Sequence, residues 1–165
     1  GAAWVQVEDY QVLKHPSGPS EYNHEKEMAT RLGKYDHFNK LLGFDDDCEV
    51  LVFERLFPRV GGFIYPANHS FNRTLLQQQL ESIFFTFEIE QIVPSEEFFM
   101  GLNNIFIGEE QNVTMFDYHS YKQMFNNTLN NDNKLRFNST YNNLTRDRLY
   151  NVILESVDHN KNKKQ

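Results

Sequence analysis

The sequence has a single cysteine, Cys48, among 165 residues, so an internal disulfide is excluded. Small secreted domains are often rich in disulfides, whereas this chain must rely on its apolar core. Fifteen Phe, eight Tyr and one Trp supply large side chains for that core. We expect Cys48 to be a small buried residue, because the acidic residues around it disfavour a reactive thiolate. The alternative is a disulfide to another chain or to a segment outside this sequence.

Basic residues are also scarce. Only 16 Lys and Arg stand against 23 Asp and Glu, which gives a net charge of −7. This charge repels a phosphate backbone, so we expect no nucleic-acid partner. No apolar run approaches the ~20 residues of a membrane-spanning helix, which predicts no direct insertion of this segment into a membrane. The signal-peptide pattern is missing too, so secretion would require that the sequence is a segment of a longer chain.

The familiar catalytic and metal-binding motifs are missing as well. The sequence contains no zinc-helix His-Glu-x-x-His, no EF-hand spacing, no phosphate-binding Gly-rich loop ending in Lys-Ser/Thr, and no Gly-x-Ser-x-Gly elbow. We therefore predict a protein that is not an enzyme and that has no cofactor or metal.

Two local clusters of polar residues have simpler interpretations. His24, Glu25 and Glu27 could ligate a metal, but their spacing favours a solvated helix face. The acidic residues 45–47 could bind calcium, but without EF-hand spacing they are expected to cap and solvate a turn.

Asp117 and His119 form a third cluster and could act as an acid–base pair. We expect Asp117 to cap a helix, and residues two apart on a helix do not share a face. This spacing makes a working pair unfavourable.

N-glycosylation sequons are the most prominent positive feature. Five of the seven threonines stand two positions after an asparagine, and one serine does so. Random placement would give roughly 1.6 sequons. Used sites must face solvent in a secretory lumen or outside the cell. The alternative is coincidence in an Asn-rich sequence. The acceptors are Asn68, Asn72, Asn112, Asn126, Asn138 and Asn143.

Hydrophobic periodicity predicts strands and helices in a mixed order. The expected strands are residues 4–13, 48–57, 63–65, 83–89 and 105–107, and the expected helices are 21–42, 72–82, 95–102, 117–129 and a last one from 145. An alternative joins 72–89 into one hairpin arm. The order predicts an α+β fold, a single compact domain with a mostly antiparallel sheet and about four helices packed on it. We expect this domain to cover 1–157, with 158–165 as a polar tail or linker.

Aromatic residues and Met are enriched in interface cores, which gives a predicted partner-binding surface. Its residues are Phe98, Phe99, Met100, Tyr118 and Tyr121; the alternative is ordinary core packing. The leading hypothesis is a non-catalytic ectodomain of a secreted or membrane-anchored N-glycosylated protein that binds another protein. The alternatives are a cytoplasmic assembly subunit with accidental sequons and a lumenal hydrolase that uses Asp117 and His119.

Overall fold

A computed structural model describes residues 3–56, 72–99, 104–108, 111–123 and 146–155. These residues form an α+β domain with antiparallel sheets, as the sequence predicts. The strands are β1 (Trp4–Val7), β2 (Gln11–His15), β3 (Leu41–Asp45), β4 (Val50–Glu54), β5 (Ile92–Pro94), β6 (Ile105–Ile107), β7 (Val113–Met115) and β8 (Tyr121–Gln123). The helices are α1 (Pro19–Leu32), α2 (Arg73–Glu90), α3 (Glu96–Phe99), a 3-10 helix (Tyr118–Ser120) and α4 (residues 146–155).

The largest sheet has four antiparallel strands in the order β1-β2-β4-β3. The first predicted strand, 4–13, is in fact the hairpin β1–β2, with Val7 opposite Val12. Val12 also lies opposite Phe53 of β4, and both are buried. Because side chains alternate along a strand, Lys14 shares the inner face with Val12.

Helix α1 is shorter than the predicted helix 21–42. It begins at Pro19, a residue suited to a first turn, and ends before Gly33, whose N–H donates to Ala29 O at 2.8 Å. A Cβ at Gly33 would lie 2.6 Å from that oxygen and 3.0 Å from Asn39 O. The chain therefore turns back tightly against the helix end, and residues 41–45 form strand β3 instead.

Helix α2 corrects the prediction of a strand over residues 83–89. Asn72 caps it, with Oδ1 accepting a hydrogen bond from Leu75 N at 3.1 Å. The helix continues to Gln91, which ends it with a left-handed φ of 53°. Its buried stripe has helical spacing and contains Leu76, Leu80, Ile83, Phe84 and Phe87.

Two small antiparallel sheets, β6–β7 and β5–β8, complete the described fold. The strand at 105–107 is confirmed, and the predicted helix 95–102 appears as the short α3. The predicted helix 117–129 is wrong over its described part. Residues 118–120 form a single 3-10 turn, and residues 121–123 form β8, paired with β5.

Helix α4 packs on the core through Leu149 and Ile153, both fully buried as the last predicted helix requires. Arg148 forms a double hydrogen bond with the carboxylate of Glu96, at 3.0 and 2.9 Å, which joins α4 to α3. Across the described ranges, no helix combines the length and the apolar character needed to cross a membrane. The predicted strand 63–65 lies outside those ranges.

Candidate functional site

A cleft of about 520 Å³ lies between the inner face of the four-stranded sheet and residues 116–119. Its volume falls within the ~300–1,000 Å³ typical of small-molecule sites. The apolar walls come from both sides of the cleft: Val5, Val12, Phe53, Leu56, Phe106, Phe116 and Tyr118. Charged side chains also line it, so the cleft combines an apolar enclosure with a polar cluster.

Lys14 connects two carboxylates of this cluster. Its Nζ lies 2.6 Å from Glu25 Oε1 and 2.9 Å from Asp117 Oδ1. An ammonium group has three N–H donors, and these two contacts use two of them. The lysine therefore joins a strand to the following helix and to a segment 103 positions later.

Glu25 is buried, with only 1% of its surface exposed, so the expectation of a solvated helix face is wrong for this residue. It belongs to the inward stripe of α1 with Tyr22 and Met28. Its Oε2 has no hydrogen-bond partner, and the same is true of the buried Oδ1 of Asn39. Both residues line the cleft, and the two oxygens without a partner are themselves buried.

Asp117 and His119 are in direct contact, contrary to the expectation from helical spacing. Asp117 has a left-handed φ of 67°, and the chain after it turns in a 3-10 helix. This geometry places His119 Nδ1 2.5 Å from Asp117 Oδ1. The other ring nitrogen, Nε2, lies 3.0 Å from Glu97 Oε1. A strained backbone at a cleft residue is typical of functional sites.

The charges in the cleft shift each other's pKa values. Burial lowers the pKa of Lys14, but Glu25 and Asp117 outweigh this effect and the pKa rises. Burial raises the pKa of Glu25 against the opposing effect of Lys14. Burial also acts to raise the pKa of Asp117, but hydrogen bonds from His119 and Lys14 lower it overall. The hydrogen bond to Asp117 raises the pKa of His119 to about 9. At neutral pH His119 is therefore protonated, which is not the state of a general base.

Glu25, Asp117 and His119 can each offer one metal-ligand atom, and these atoms lie within 4.8 Å of one another. However, Lys14 Nζ already lies between the two carboxylates. A metal bound by all three residues would have to displace that ammonium and remove a proton from His119. The cluster is better described as a network of ion pairs in which Lys14 and His119 supply the positive charges.

Asn104 is buried directly before β6 and helps to connect the cleft to α3. Its side-chain Nδ2 donates to Phe98 O at 3.0 Å, and its main-chain carbonyl oxygen accepts a hydrogen bond from Phe116 N at 3.1 Å. Phe116 lines the cleft immediately before Asp117. The asparagine therefore sets the position of the segment that carries Asp117.

Most of the predicted partner-binding residues belong to the core. Phe98, Tyr118 and Tyr121 are almost completely buried, and the Tyr118 hydroxyl donates to Asn39 O. Their rings are in contact with each other or with neighbouring core rings, so they present no surface to a partner. Phe99 is half-buried, with Arg148 4.0 Å above its ring. Met100 lies outside the described residues.

Two of the six predicted sequon asparagines fall in the described ranges. Asn72 and Asn112 are both exposed, and neither lines the cleft. The backbone N–H of Asn72 donates to Oε1 of Gln111 at 2.7 Å. Asn112 directly follows Gln111, so the acceptors Asn72 and Asn112 both lie near the start of α2. Glycosylation at these positions stays a prediction. The other four acceptors, Asn68, Asn126, Asn138 and Asn143, lie outside the described residues.

Cys48 is exposed, so the expectation that it is buried is wrong. It lies in the turn between β3 and β4, where Asp45 Oδ1 accepts hydrogen bonds from Asp47 N at 2.9 Å and Cys48 N at 3.1 Å. Asp45 thus caps this turn, as expected. His24 makes no metal-type cluster among the described residues; its Nε2 is 2.7 Å from Tyr121 O.

The sequence predictions missed Lys14 as a site residue and misjudged Glu25. The sequence did contain a signal for both residues. Lys14 and Glu25 each stand at a position where the spacing of the buried residues predicts an apolar side chain. Lys14 follows Val12 on the inner face of β2, and Glu25 stands three positions after Tyr22 in the buried stripe of α1. Two opposite charges at inward positions indicate a buried pair.

No known protein family matches this sequence, and no curated protein is significantly similar to it. The chemistry of the cleft has to be judged from its own geometry.

Proposed function

We propose that this chain is a protein-kinase-like domain that binds a nucleotide in the cleft without transferring its phosphoryl group. The supporting observation is the contact of Lys14 Nζ with both Glu25 and Asp117. In protein kinases, a strand lysine contacts the nucleotide phosphates and pairs with a glutamate of a helix, while the aspartate of an Asp-Phe-Gly segment faces the same phosphates. The remaining N–H of Lys14 suits a phosphate oxygen, and the apolar walls suit a base.

The local sequences and their order agree with this proposal. Residues 11–14 read Gln-Val-Leu-Lys, comparable to the Val-Ala-Ile-Lys of kinases. Residues 117–119 read Asp-Tyr-His, where Tyr118 supplies a buried aromatic ring at the second position, as Phe does in Asp-Phe-Gly. Asn104 precedes this segment, as the catalytic-loop asparagine of kinases does.

Phosphoryl transfer is not supported, because the residue that would act as catalytic base differs. The kinase pattern His-Arg-Asp-x-x-x-x-Asn puts this aspartate five residues before the asparagine. Counting back from Asn104 gives Phe99, whose ring cannot accept a proton. Glu97 is a nearby carboxylate, but it is engaged with His119. We therefore propose nucleotide binding as a structural or regulatory property, in agreement with the expectation of a non-catalytic protein.

Titration with a fluorescent N-methylanthraniloyl-ADP tests the proposal. We expect saturable binding, weakened about tenfold or more in Lys14→Met, since a hydrogen bond to a charged group contributes ~1.5–3 kcal/mol. Lys34→Met is the matched control, because Lys34 is exposed and does not line the cleft. The double variant Lys14→Met/Glu25→Gln keeps the site free of an unpaired buried charge and should also lose binding.

Two results would contradict this function. One is the lack of saturable nucleotide binding by folded protein with or without Mg²⁺. The other is transfer of a labelled γ-phosphate from ATP to the protein itself or to a general kinase substrate. This result would contradict only the non-catalytic part of the proposal. Equal loss of binding in Lys14→Met and Lys34→Met would show that the cleft is not the site.

An N-glycosylated interaction domain, extracellular or in the secretory lumen, is a second proposal that concerns the surface and the compartment. The exposure of Asn72 and Asn112 favours it. Its test is the intact mass of protein expressed through a eukaryotic secretory pathway, before and after an N-glycan-removing enzyme. A loss of mass supports use of the sequons. An unchanged mass favours the alternative of a cytoplasmic assembly protein with accidental sequons.

The first hairpin is a better candidate for protein contact than the buried aromatic cluster. Trp4 is 57% exposed and Tyr10 is 83% exposed, and β1 is an edge strand of the sheet. Large exposed aromatic residues are typical of interface anchors. Trp4→Ala should weaken capture of a protein partner without weakening nucleotide binding. If capture is unchanged, the contact surface lies elsewhere.

A further inference from the structure

His119 occupies the position in the Asp-x-x segment where protein kinases have a glycine. A glycine leaves the aspartate free to hold Mg²⁺, whereas the imidazole of His119 lies against Asp117 at 2.5 Å. Glu97 contacts the other ring nitrogen at 3.0 Å. The ring is therefore held between two carboxylates.

Both ring nitrogens carry a proton in this arrangement. A carboxylate at neutral pH only accepts hydrogen bonds, so a nitrogen in contact with it has to be the donor. The imidazole is thus a fixed cation next to Asp117. Lys14 adds a second cation at 2.9 Å from the same carboxylate oxygen. Together the two side chains neutralise Asp117, whose charge kinases neutralise with metal ions.

Magnesium does not fit this site well. Mg²⁺ demands near-octahedral oxygen ligands and is usually bound through one or two carboxylates and the substrate phosphates. Oδ1 of Asp117 already accepts hydrogen bonds from both Lys14 and His119. Coordination through this oxygen would require the ring or the ammonium group to move away from it.

We infer that His119 replaces the divalent metal at Asp117, so that the cleft binds its nucleotide in the absence of Mg²⁺. This inference rests on the proposed function. The cation at residue 119 belongs to the protein and is present before the nucleotide arrives, so Asp117 is already neutralised when the phosphates reach the remaining N–H of Lys14.

The experiment compares affinity for N-methylanthraniloyl-ADP in EDTA and in saturating MgCl₂. For the wild type we expect the two dissociation constants to agree within about threefold. This ratio corresponds to a coupling free energy between metal and nucleotide of less than about 1 kcal/mol. For His119→Gly we expect weak binding in EDTA and a gain of about tenfold or more with Mg²⁺. His119→Ala gives the same comparison in case the glycine variant does not fold, and the melting temperature of each variant is measured first.

Glu97→Gln is the matched control, because it removes the charge of one carboxylate beside the ring but leaves the ring on Asp117. We expect it to keep metal-independent binding. A wild type that needs Mg²⁺ for tight binding would overturn the inference and leave nucleotide binding in place. Metal-independent binding by both His119 variants would also overturn it, since the ring would then have no role. Absence of binding by the folded wild type under both conditions would instead contradict the proposed function.

Discussion

Phe84 and Phe85 are adjacent in the sequence, yet Phe84 is 1% exposed and Phe85 is 63% exposed. Helix α2 turns the first ring into the core, where it lies 6.1 Å from the Phe87 ring, and the second towards solvent. We expect Phe84→Ala to reduce the free energy of unfolding by ~3–5 kcal/mol, and Phe85→Ala to change it by less than ~1 kcal/mol. Urea unfolding of the two variants measures both. A strand over residues 83–89 would give the reverse order of destabilisation. Its side chains would alternate, so Phe85 would be buried together with Phe87 and Phe84 would face the other side.

Gly33 provides a second test of the fold. A methyl group there would meet the backbone oxygens of Ala29 and Asn39, which cannot rotate away. We expect Gly33→Ala to lower the free energy of unfolding by ~1–3 kcal/mol. Gly43→Ala is the control, because its Cβ would meet no atom within 4 Å. Equal stabilities of the two variants in urea would mean that the chain does not turn tightly at the end of α1.

The buried pair of Lys14 and Glu25 should show strong energetic coupling. Lys14→Met leaves the buried Glu25 without its cation and should cost ~3 kcal/mol or more of unfolding free energy, whereas Glu25→Leu leaves Lys14 its contact with Asp117 and should cost less. The double variant should cost much less than their sum, because two apolar side chains can occupy the same space. A double-mutant cycle in urea measures this coupling. Simple additivity would argue against the ion pair.

His119 should make the stability of the ligand-free protein depend on pH. Its folded pKa of about 9 lies above the ordinary value of 6.5, so protonation favours the folded state. This contribution is complete below pH 6.5 and is lost as the pH rises through 9. The side chain is 36% exposed, so solvent screening reduces the effect to about 1 kcal/mol.

The measurement is thermal unfolding of wild type and His119→Gln in metal-free buffer from pH 6 to pH 10. An effect of about 1 kcal/mol corresponds to a difference of ~2–4 °C in melting temperature. We expect the wild type to lose this advantage across the interval, while the variant shows a flatter profile. Parallel profiles would mean that the ring is not held by its two carboxylates.

The sequence was sufficient for the α+β class but not for several element boundaries. In α2, the buried positions 76, 80, 83, 84 and 87 have helical spacing, whereas 83, 85, 87 and 89 also alternate like a strand. Local periodicity cannot separate these patterns when aromatic residues are so dense. The cap at Asn72 and the absence of any turn residue before Gln91 were the signals that favour one long helix.

The site depended on backbone geometry that residue types do not reveal. Helical spacing separates Asp117 from His119, but the left-handed φ of Asp117 brings their side chains together. Likewise, Tyr35 and Phe38 continue the helical spacing of α1, while the chain has already turned, with His37 at a φ of 69°. Tertiary contacts, such as Met115 N to His37 O at 2.7 Å, stabilise that turn and come from residues far along the chain.

The bond between Lys14 and Asp117 also sets an order of events during translation. A ribosome releases the strand with the lysine and the helix with Glu25 long before residue 117 is synthesised. Until then, one side of the cleft does not exist and Lys14 has only Glu25 as its partner. A nascent chain that stops short of this point lacks Asp117 and the wall of the cleft that residues 116–119 form.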